Sequence, residues 1–298
     1  MQNGIANKID RASKYIDIDG VKIHYTEMGA GRPILFLHSI PMSSFVWQGM
    51  LSHLSTMGRC IAPDLIGCGR SDKPSHLSYT IFEHIHYIER LIEELDLKRI
   101  VLVMHGVGSV IGLDIAMRNQ SNFSGLVFYE SFIRPMTPDD ISLPYKEHLL
   151  ALQHESTVSP DHMKANLFIE HLLKQLSIGD MPLADKNRYM EPFHDATSLK
   201  SVLEYLRELP SGDGMNQIDH VIGKYFKLLA QSSLPKLMLF SLPGFITTIA
   251  TVMWAKEHIK RLEVIELGEE LHLANVTYGD RMGEMISIWL QGIEQSGG

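Results

Sequence analysis

Hydrophobic positions along the chain first follow the patterns of β-strands. Residues 15–25 (YIDIDGVKIHY) alternate apolar and polar side chains around Asp19-Gly20, which predicts a hairpin with a tight turn. Short apolar runs predict buried strands at residues 33–38, 59–63, 100–104, 125–129, 236–240 and 262–267.

Helical spacing appears between several of these runs. Apolar residues recur at intervals of three and four over residues 79–95, and residues 108–119 follow a similar pattern. Strands that alternate with helices predict βαβ units and a mostly parallel sheet with flanking helices.

Strand-like apolar runs are absent from residues 135–231 and resume after them. Helical segments are predicted there at 144–153, 161–176 and 198–209. We therefore expect one α/β core, formed by residues 1–134 and 232–298. A helical cap of residues 135–231 is inserted into it and covers a site.

Composition narrows the classes of function. The 298 residues are 45% hydrophobic with a net charge of -8, which disfavours a nucleic-acid partner. The polar start and the lack of a long apolar run predict a cytoplasmic protein without a membrane span. With two cysteines and no metal-binding motif, we expect reduced thiols, no metal and no cofactor. A monomer is the default expectation.

The turn after the third parallel-strand candidate carries the most chemical information. Open α/β sheets bind ligands at the carboxyl ends of their strands. In VLVMHGVGSVIG a strand runs through small residues directly into a helix, as in a nucleophile elbow. The elbow position is Gly106, which accepts a strained turn but offers no attacking atom.

Several motifs in order resemble a known family. HSIPMSSFVW (38–47), PDLIGCGRSDKP (63–74), VLVMHGVGS (101–109) and YESF (129–132) resemble the haloalkane dehalogenases and the related coelenterazine luciferases. The likeness extends over nearly the whole chain and implies the α/β-hydrolase fold.

That resemblance implies an aspartate nucleophile, a histidine base and a carboxylate partner. The nucleophile position is then the vacant Gly106, the base is His272 and the acid is Glu130, as in the second dehalogenase subfamily. Two positions that hold the departing halide in the family are Ile40 and Val107, whose side chains cannot donate hydrogen bonds. Their backbone N–H groups are retained as a predicted oxyanion hole. Direct dehalogenation is therefore disfavoured.

Two serines lie near this site in the sequence. Ser39 follows the first parallel strand, where family members usually have glycine, and is a candidate catalytic residue or substrate contact. A loop serine that bonds to backbone is the commoner interpretation. Ser109 is expected to be a structural residue in the first helical turn, and His38 and His105 are expected to be structural as well.

The leading hypothesis is a cofactor-independent enzyme that uses His272 and Glu130 as a base. Its reaction would be isomerisation, elimination, cyclisation, C–C cleavage or oxygenation of a mostly apolar small molecule. Two alternatives remain. One is a hydrolase in which His272 activates water directly, and the other is a non-catalytic ligand-binding protein on the same fold.

Overall fold

An eight-stranded sheet forms the centre of the molecule. The computed structural model describes residues 12–155 and 165–295. The strands are β1 Ser13–Ile18, β2 Val21–Met28, β3 Pro33–Leu37, β4 Arg59–Pro63, β5 Ile100–Gly106, β6 Phe123–Ser131, β7 Lys236–Pro243 and β8 Leu262–Glu270. Their order is β1-β2-β4-β3-β5-β6-β7-β8. Strand β2 is antiparallel to both neighbours, and all other neighbouring pairs are parallel. The predicted fold class is confirmed.

Helices cover both faces of this sheet. They are α1 Gln48–Leu54, α2 Ile81–Glu94, α3 Val107–Arg118, α4 Leu143–Glu155, α5 Ala165–Gln175, α6 Leu183–Met190, α7 Lys200–Arg207, α8 Gln217–Gln231, α9 Ile249–His258, α10 Ala274–Thr277 and α11 Gly279–Gln295. Short 3₁₀ helices occupy Ser44–Trp47, Gln120–Asn122, Pro138–Asp140 and Thr197–Leu199.

The predicted hairpin is present as β1 and β2. Its two turn residues, Asp19 and Gly20, have φ values of 53° and 80°. Positive φ at both central positions is the geometry that matches the twist of a two-residue hairpin. The predicted parallel strands are also present, although β6, β7 and β8 extend beyond the apolar runs into their polar ends.

Close packing at the start of α3 holds β3 and β5 together. A Cβ atom on Gly108 would lie 2.2 Å from the carbonyl oxygen of Leu37. Only glycine permits this approach, so α3 begins directly against the end of β3. The carboxyl ends of both strands are thereby fixed beside each other.

Helices α4 to α8 all lie between β6 and β7 in the sequence. The predicted helices 144–153 and 198–209 correspond to α4 and to α7 with its preceding 3₁₀ turn. The predicted helix 161–176 corresponds to α5, although its first four residues lie outside the described part of the chain. The division into core and cap stays a prediction.

No helix in the described ranges has the length and the hydrophobicity that a bilayer crossing requires.

Candidate active site

Four strands bring the predicted site residues to one edge of the sheet. Ser39 lies just after β3, Gly106 ends β5, Glu130 lies near the end of β6, and His272 follows β8. All four residues are buried, and the side chains of Ser39, Glu130 and His272 are 0 to 2% exposed. The structure therefore places them together in the interior.

A bulge in β6 directs Glu130 towards the site. In the pairing with β5, His105 lies opposite Tyr129 and Gly106 opposite Ser131, so Glu130 is an extra residue. Its φ is 46°, which is uncommon for a residue with a side chain. Bulges of this kind redirect a side chain next to a functional site.

The loop after β7 surrounds the Glu130 carboxyl group with donors. The backbone N–H of Ile246 donates to Oε2 at 2.6 Å, while those of Phe245 and Thr247 lie 3.2 Å from carboxyl oxygens. Gly244 permits this turn with a φ of 74°. This is the loop (SLPGFITT) that carries no acid of its own, and it supplies backbone donors to the acid of β6 instead.

His272 is hydrogen-bonded at both ring nitrogens. Its Nδ1 lies 3.2 Å from Glu130 Oε2, and its Nε2 lies 3.2 Å from the hydroxyl oxygen of Ser39. Its backbone N–H donates to the carbonyl of Leu176 at 2.9 Å. The ring of His105 donates to the His272 carbonyl at 2.9 Å. Two hydrogen bonds therefore hold the imidazole, and two more hold the backbone of His272.

Ser39 occupies the space that a side chain on Gly106 would fill. A Cβ atom on Gly106 would lie 2.2 Å from Ser39 Oγ, 2.6 Å from Ser39 Cβ and 3.1 Å from Cε1 of His272. Gly106 has no attacking atom, but the space beside the imidazole that a side chain on it would fill is not empty. A hydroxyl group from the neighbouring strand end lies there.

Backbone contacts fix the position of Ser39. Its carbonyl accepts from the N–H of Met42 at 2.9 Å and lies 2.7 Å from Nδ1 of His38. Nε2 of His38 accepts from the N–H of Leu65 at 2.9 Å, so Nδ1 carries the proton and donates to Ser39. His38 thus ties the Ser39 loop to the loop after β4.

Ser109 makes structural contacts. Its hydroxyl donates to the carbonyl of Gly106 at 2.6 Å and accepts from the N–H of Phe132 at 3.0 Å. Both hydrogen bonds are buried and join the elbow turn to the segment after β6. The hydroxyl of Ser109 therefore bonds to backbone, as a residue of the first helical turn would.

The predicted oxyanion-hole residues are neighbours of the site in the sequence, since Ile40 directly follows Ser39 and Val107 directly follows Gly106. Both residues are buried, with relative exposures of 2% and 1%. Within residues 12–155 and 165–295, neither N–H finds a hydrogen-bond partner. Val107 is also the first residue of α3, where the helix dipole favours negative charge.

Burial dominates the electrostatics of the two titratable groups. Burial, with a smaller contribution from the neighbouring His148, lowers the pKa of His272 to about 3. Burial raises the pKa of Glu130 to about 8, while the three backbone N–H donors act against that rise. The imidazole is consequently uncharged near neutral pH, which is the form that accepts a proton.

An apolar cavity adjoins His272. It leaves about 10 Å³ for the centre of a water molecule, which is room for about one water. Its lining residues come from the β3 loop, from α4, α5 and α7, and from the loop after β7, and are Ile40, Pro41, His148, Leu172, Leu176, Tyr205, Leu206, Leu209, Phe245 and His272. None of them carries a carboxylate, an ammonium or a guanidinium group.

Sequence reasoning did not find two polar residues of this cavity. Tyr205 lines the cavity, and its side chain interacts with that of Ser39. His148 was not singled out at all. Since both lie on helices between β6 and β7, only the packing of those helices against the sheet reveals them.

Comparisons with known proteins agree with this architecture. The family profile described as alpha/beta hydrolase fold matches residues 32–200. A haloalkane dehalogenase of Sphingobium indicum is 35% identical over 241 residues, covering 79% of this chain and 81% of the relative. A haloalkane dehalogenase of Mesorhizobium japonicum is 31% identical and covers 89% of this chain and 87% of its own length.

Solved structures are similar over nearly the whole chain. The crystal structure of haloalkane dehalogenase DbeA from Bradyrhizobium elkani has a TM-score of 0.87 at 28% identity, with coverage of 95% of this chain and 99% of that one. The crystal structure of haloalkane dehalogenase DatA from Agrobacterium tumefaciens has a TM-score of 0.85 at 28% identity, covering 94% and 96%. The chain therefore belongs to the α/β-hydrolase family and, within it, to the haloalkane dehalogenase family.

Proposed function

We propose that this protein is a serine-type hydrolase of neutral esters, with Ser39 as nucleophile, His272 as base and Glu130 as the acid that orients the base. The observation that carries the proposal is the 3.2 Å distance between Ser39 Oγ and His272 Nε2. The hydrogen bond from His272 Nδ1 to Glu130 completes a nucleophile, base and acid in the order that defines a catalytic triad.

The proton of His272 is best assigned to Nδ1. Glu130 is ionised above its pKa of about 8, and the three backbone N–H groups that donate to its oxygens stabilise this form, which only accepts hydrogen bonds. The Nδ1–H then donates to Glu130, and the lone pair of Nε2 faces the serine hydroxyl. This tautomer is the one that a general base requires.

The proposed reaction proceeds through an acyl-enzyme. Ser39 Oγ attacks the ester carbonyl carbon while its proton passes to Nε2 of His272. The carbonyl electron pair moves onto oxygen, where the N–H groups of Ile40 and Val107 are the candidate donors. Collapse of this tetrahedral intermediate expels the alkoxide, which takes the proton from Nε2 of His272. Water, activated by the same nitrogen, then cleaves the acyl–serine ester and releases the acid.

The cavity lining supports a neutral and mostly apolar substrate. Leucine, isoleucine, proline and phenylalanine side chains form most of its wall, and no charged side chain faces it. Burial of an ionised substrate there would lack a compensating partner. We therefore propose an uncharged ester with a small aliphatic acyl group.

Dehalogenation is not the reaction that this geometry favours. Attack of a serine oxygen on a carbon–halogen bond would give an alkyl ether, which water and a histidine base do not cleave. An aspartate nucleophile would give a hydrolysable ester, but position 106 is glycine. Ile40 and Val107 also lack side-chain donors for the leaving halide.

We further propose that residues 135–231 act as a cap that must open for the substrate. Ser39 and His272 are 0% and 2% exposed, and the adjoining cavity holds about one water. The bond between the His272 N–H and the Leu176 carbonyl joins the base directly to the segment after α5. Opening of the cap at Leu176 would expose the site and, at the same time, remove a hydrogen bond that holds His272.

The room for one water beside His272 favours a second candidate, hydrolysis by a directly activated water. Proton abstraction from a carbon acid, the leading hypothesis from the sequence, is less well supported. It needs Nε2 to face the substrate, and Ser39 occupies that nitrogen. Neither alternative forms a bond to the protein.

Hydrolysis of p-nitrophenyl butyrate by wild type, Ser39→Ala and Ser44→Ala tests the proposal. Ser44 is a buried serine of the same loop whose hydroxyl does not contact His272, and its replacement should leave the rate unchanged. Loss of Ser39 should reduce kcat by at least about 10³-fold. Acid-quenched wild type should carry the mass of one butyryl group. A Ser39→Ala variant with full activity would support direct water attack instead.

A further inference from the structure

A second histidine lines the active-site cavity. His148 lies on α4 and is 4% exposed. Its ring packs edge-on against Phe245, with 5.4 Å between ring centroids, and the Phe245 ring lies 5.5 Å from that of His272. Both imidazoles thus contact the same phenylalanine ring.

Hydrogen bonds to α5 fix which nitrogen of His148 carries the proton. Nδ1 lies 2.6 Å from the side-chain oxygen of Gln175, which can only accept. The Gln175 amide nitrogen lies 3.0 Å from Nε2 of His171 and donates to it. Nδ1 of His148 is therefore protonated, and Nε2 is an acceptor.

That acceptor has no partner within the described ranges of the chain. The cavity walls around it are aliphatic or aromatic apart from Tyr205 and His272. Burial lowers the pKa of His148, so the ring is uncharged near neutral pH. A donor on the ligand would give this acceptor a hydrogen bond in surroundings that offer few other polar partners.

We propose that His148 determines specificity by accepting a hydrogen bond from a hydroxyl group on the acyl part of the substrate. The substrate class is then a hydroxyacyl ester, an inference that rests on the proposed function for the bond that is cleaved. A site built around such an acceptor discriminates against the analogue that lacks the hydroxyl, because the acceptor is left unpaired.

Binding of a matched pair of ketones tests this inference without catalysis. The host is Ser39→Ala, which cannot add to a carbonyl, and the probes are pentan-2-one and 4-hydroxypentan-2-one. The hydroxyketone should bind at least about tenfold more tightly, and the preference should disappear when His148→Phe is added. No preference in the host, or an unchanged preference with phenylalanine, would overturn the inference.

Two further variants separate specificity from cap stability. Lys174→Ala, at an exposed position on the same helix as Gln175, should leave the preference intact. If His148→Phe does not fold, His148→Gln replaces it; its amide both accepts and donates, so the preference should fall at least about threefold.

A kinetic comparison distinguishes failure of the inference from failure of the proposed function. The substrates are p-nitrophenyl butyrate and p-nitrophenyl 3-hydroxybutyrate with wild type. Hydrolysis of both esters at equal kcat/KM, together with equal ketone binding, would refute the role of His148 alone. A ketone preference without hydrolysis of either ester would refute the serine-hydrolase proposal and leave the hydroxyl contact standing.

Discussion

The ends of β3 and β5 have similar sequences, but they differ in the small residue that follows the histidine. A buried histidine at the end of each strand is followed by a small residue and an apolar one: His38-Ser39-Ile40 comes directly after β3, and the corresponding segment begins at His105, the second-last residue of β5. The small residue is serine after the first strand and glycine (Gly106) at the end of the second. Because a Gly106 Cβ would lie 2.2 Å from Ser39 Oγ, the two positions share one volume.

This comparison shows that the place of a nucleophile is defined by the base rather than by one position in the chain. In the family resemblance, the attacking group belongs to the turn after β5. Here the turn keeps its positive φ of 54°, but the atom beside His272 Nε2 comes from the adjacent loop. An exchange of side chain between neighbouring strand ends would preserve the volume of the site while changing its chemistry from carboxylate to hydroxyl.

Reversal of the exchange should have the largest effect. Gly106→Asp alone adds a side chain where Ser39 already lies, so the variant should be unstable and inactive. The double variant Ser39→Gly/Gly106→Asp relieves that overlap and should fold, yet lose ester hydrolysis by at least about 10³-fold. Ester turnover, 1-bromobutane turnover and circular dichroism measure this. Substantial halide release by Gly106→Asp alone would contradict the assignment of the pocket.

Removal of the negative charge of Glu130 should have the second-largest effect on ester hydrolysis. Glu130→Gln should reduce kcat by about 10²–10⁴-fold, because the imidazole loses the partner that fixes its tautomer. Glu270→Gln is the matched control. Glu270 is a buried acid that accepts the N–H of Ile178 at 2.8 Å but does not contact the His272 side chain. Equal kcat losses in both variants would indicate a structural role for Glu130.

A double-mutant cycle on stability sharpens the claim of a shared volume. Gly106→Ala should destabilise wild type more than it destabilises the Ser39→Gly variant, with a coupling of at least about 1 kcal/mol. The backbone strain of alanine at positive φ is the same in both backgrounds and cancels. Urea unfolding of the four proteins gives the coupling, and additive effects would mean that the two side chains do not compete for space.

The smallest effect concerns pH. Burial depresses the pKa of five histidines, namely His38, His84, His105, His148 and His272. The unfolded chain binds protons on them as pH falls below about 6.5, while the folded chain does not, so stability is full above that pH and lost below it. The raised pKa of Glu130 has the opposite effect on stability. Between the ordinary pKa of a glutamate and about 8, the folded chain binds more protons than the unfolded chain, so this contribution to stability is lost as pH rises.

Melting temperature should therefore fall between pH 7.5 and pH 5.5. His84 offers a specific check, because neither of its ring nitrogens has a partner among the described residues. His84→Leu should reduce the acid sensitivity and stabilise the protein at pH 5.5 by about 1 kcal/mol. A melting temperature that rises on acidification would show that the carboxyl groups dominate instead.

Most of the fold follows from the pattern of the sequence. Apolar runs such as residues 100–104 and 236–240 mark the parallel strands, because buried strands need apolar side chains on both faces. Strands predicted from these runs are too short where the end of a strand contributes residues to the site. Glu130 and Ser131 belong to β6, and the apolar pattern ends before them because the site requires polar groups.

The candidate site was predicted only in part. Resemblance placed His272, Glu130 and Gly106 together, whereas for Ser39 a loop residue bonded to backbone was preferred over a catalytic or contact role. A signal was present, since β3 and β5 pair in register with Leu37 opposite Met104, and two more residues bring Ser39 opposite Gly106. The backbone donors around Glu130 carry no sequence signature, because every residue except proline has an N–H.

Reaction with a fluorophosphonate probe tests the central claim most directly. We predict one covalent adduct per wild-type molecule, mapped to Ser39 by peptide mass spectrometry, and a rate of labelling that falls sharply in His272→Ala. The Ser44→Ala control should label like wild type. Labelling at another serine, or none while esters are still hydrolysed, would contradict the account.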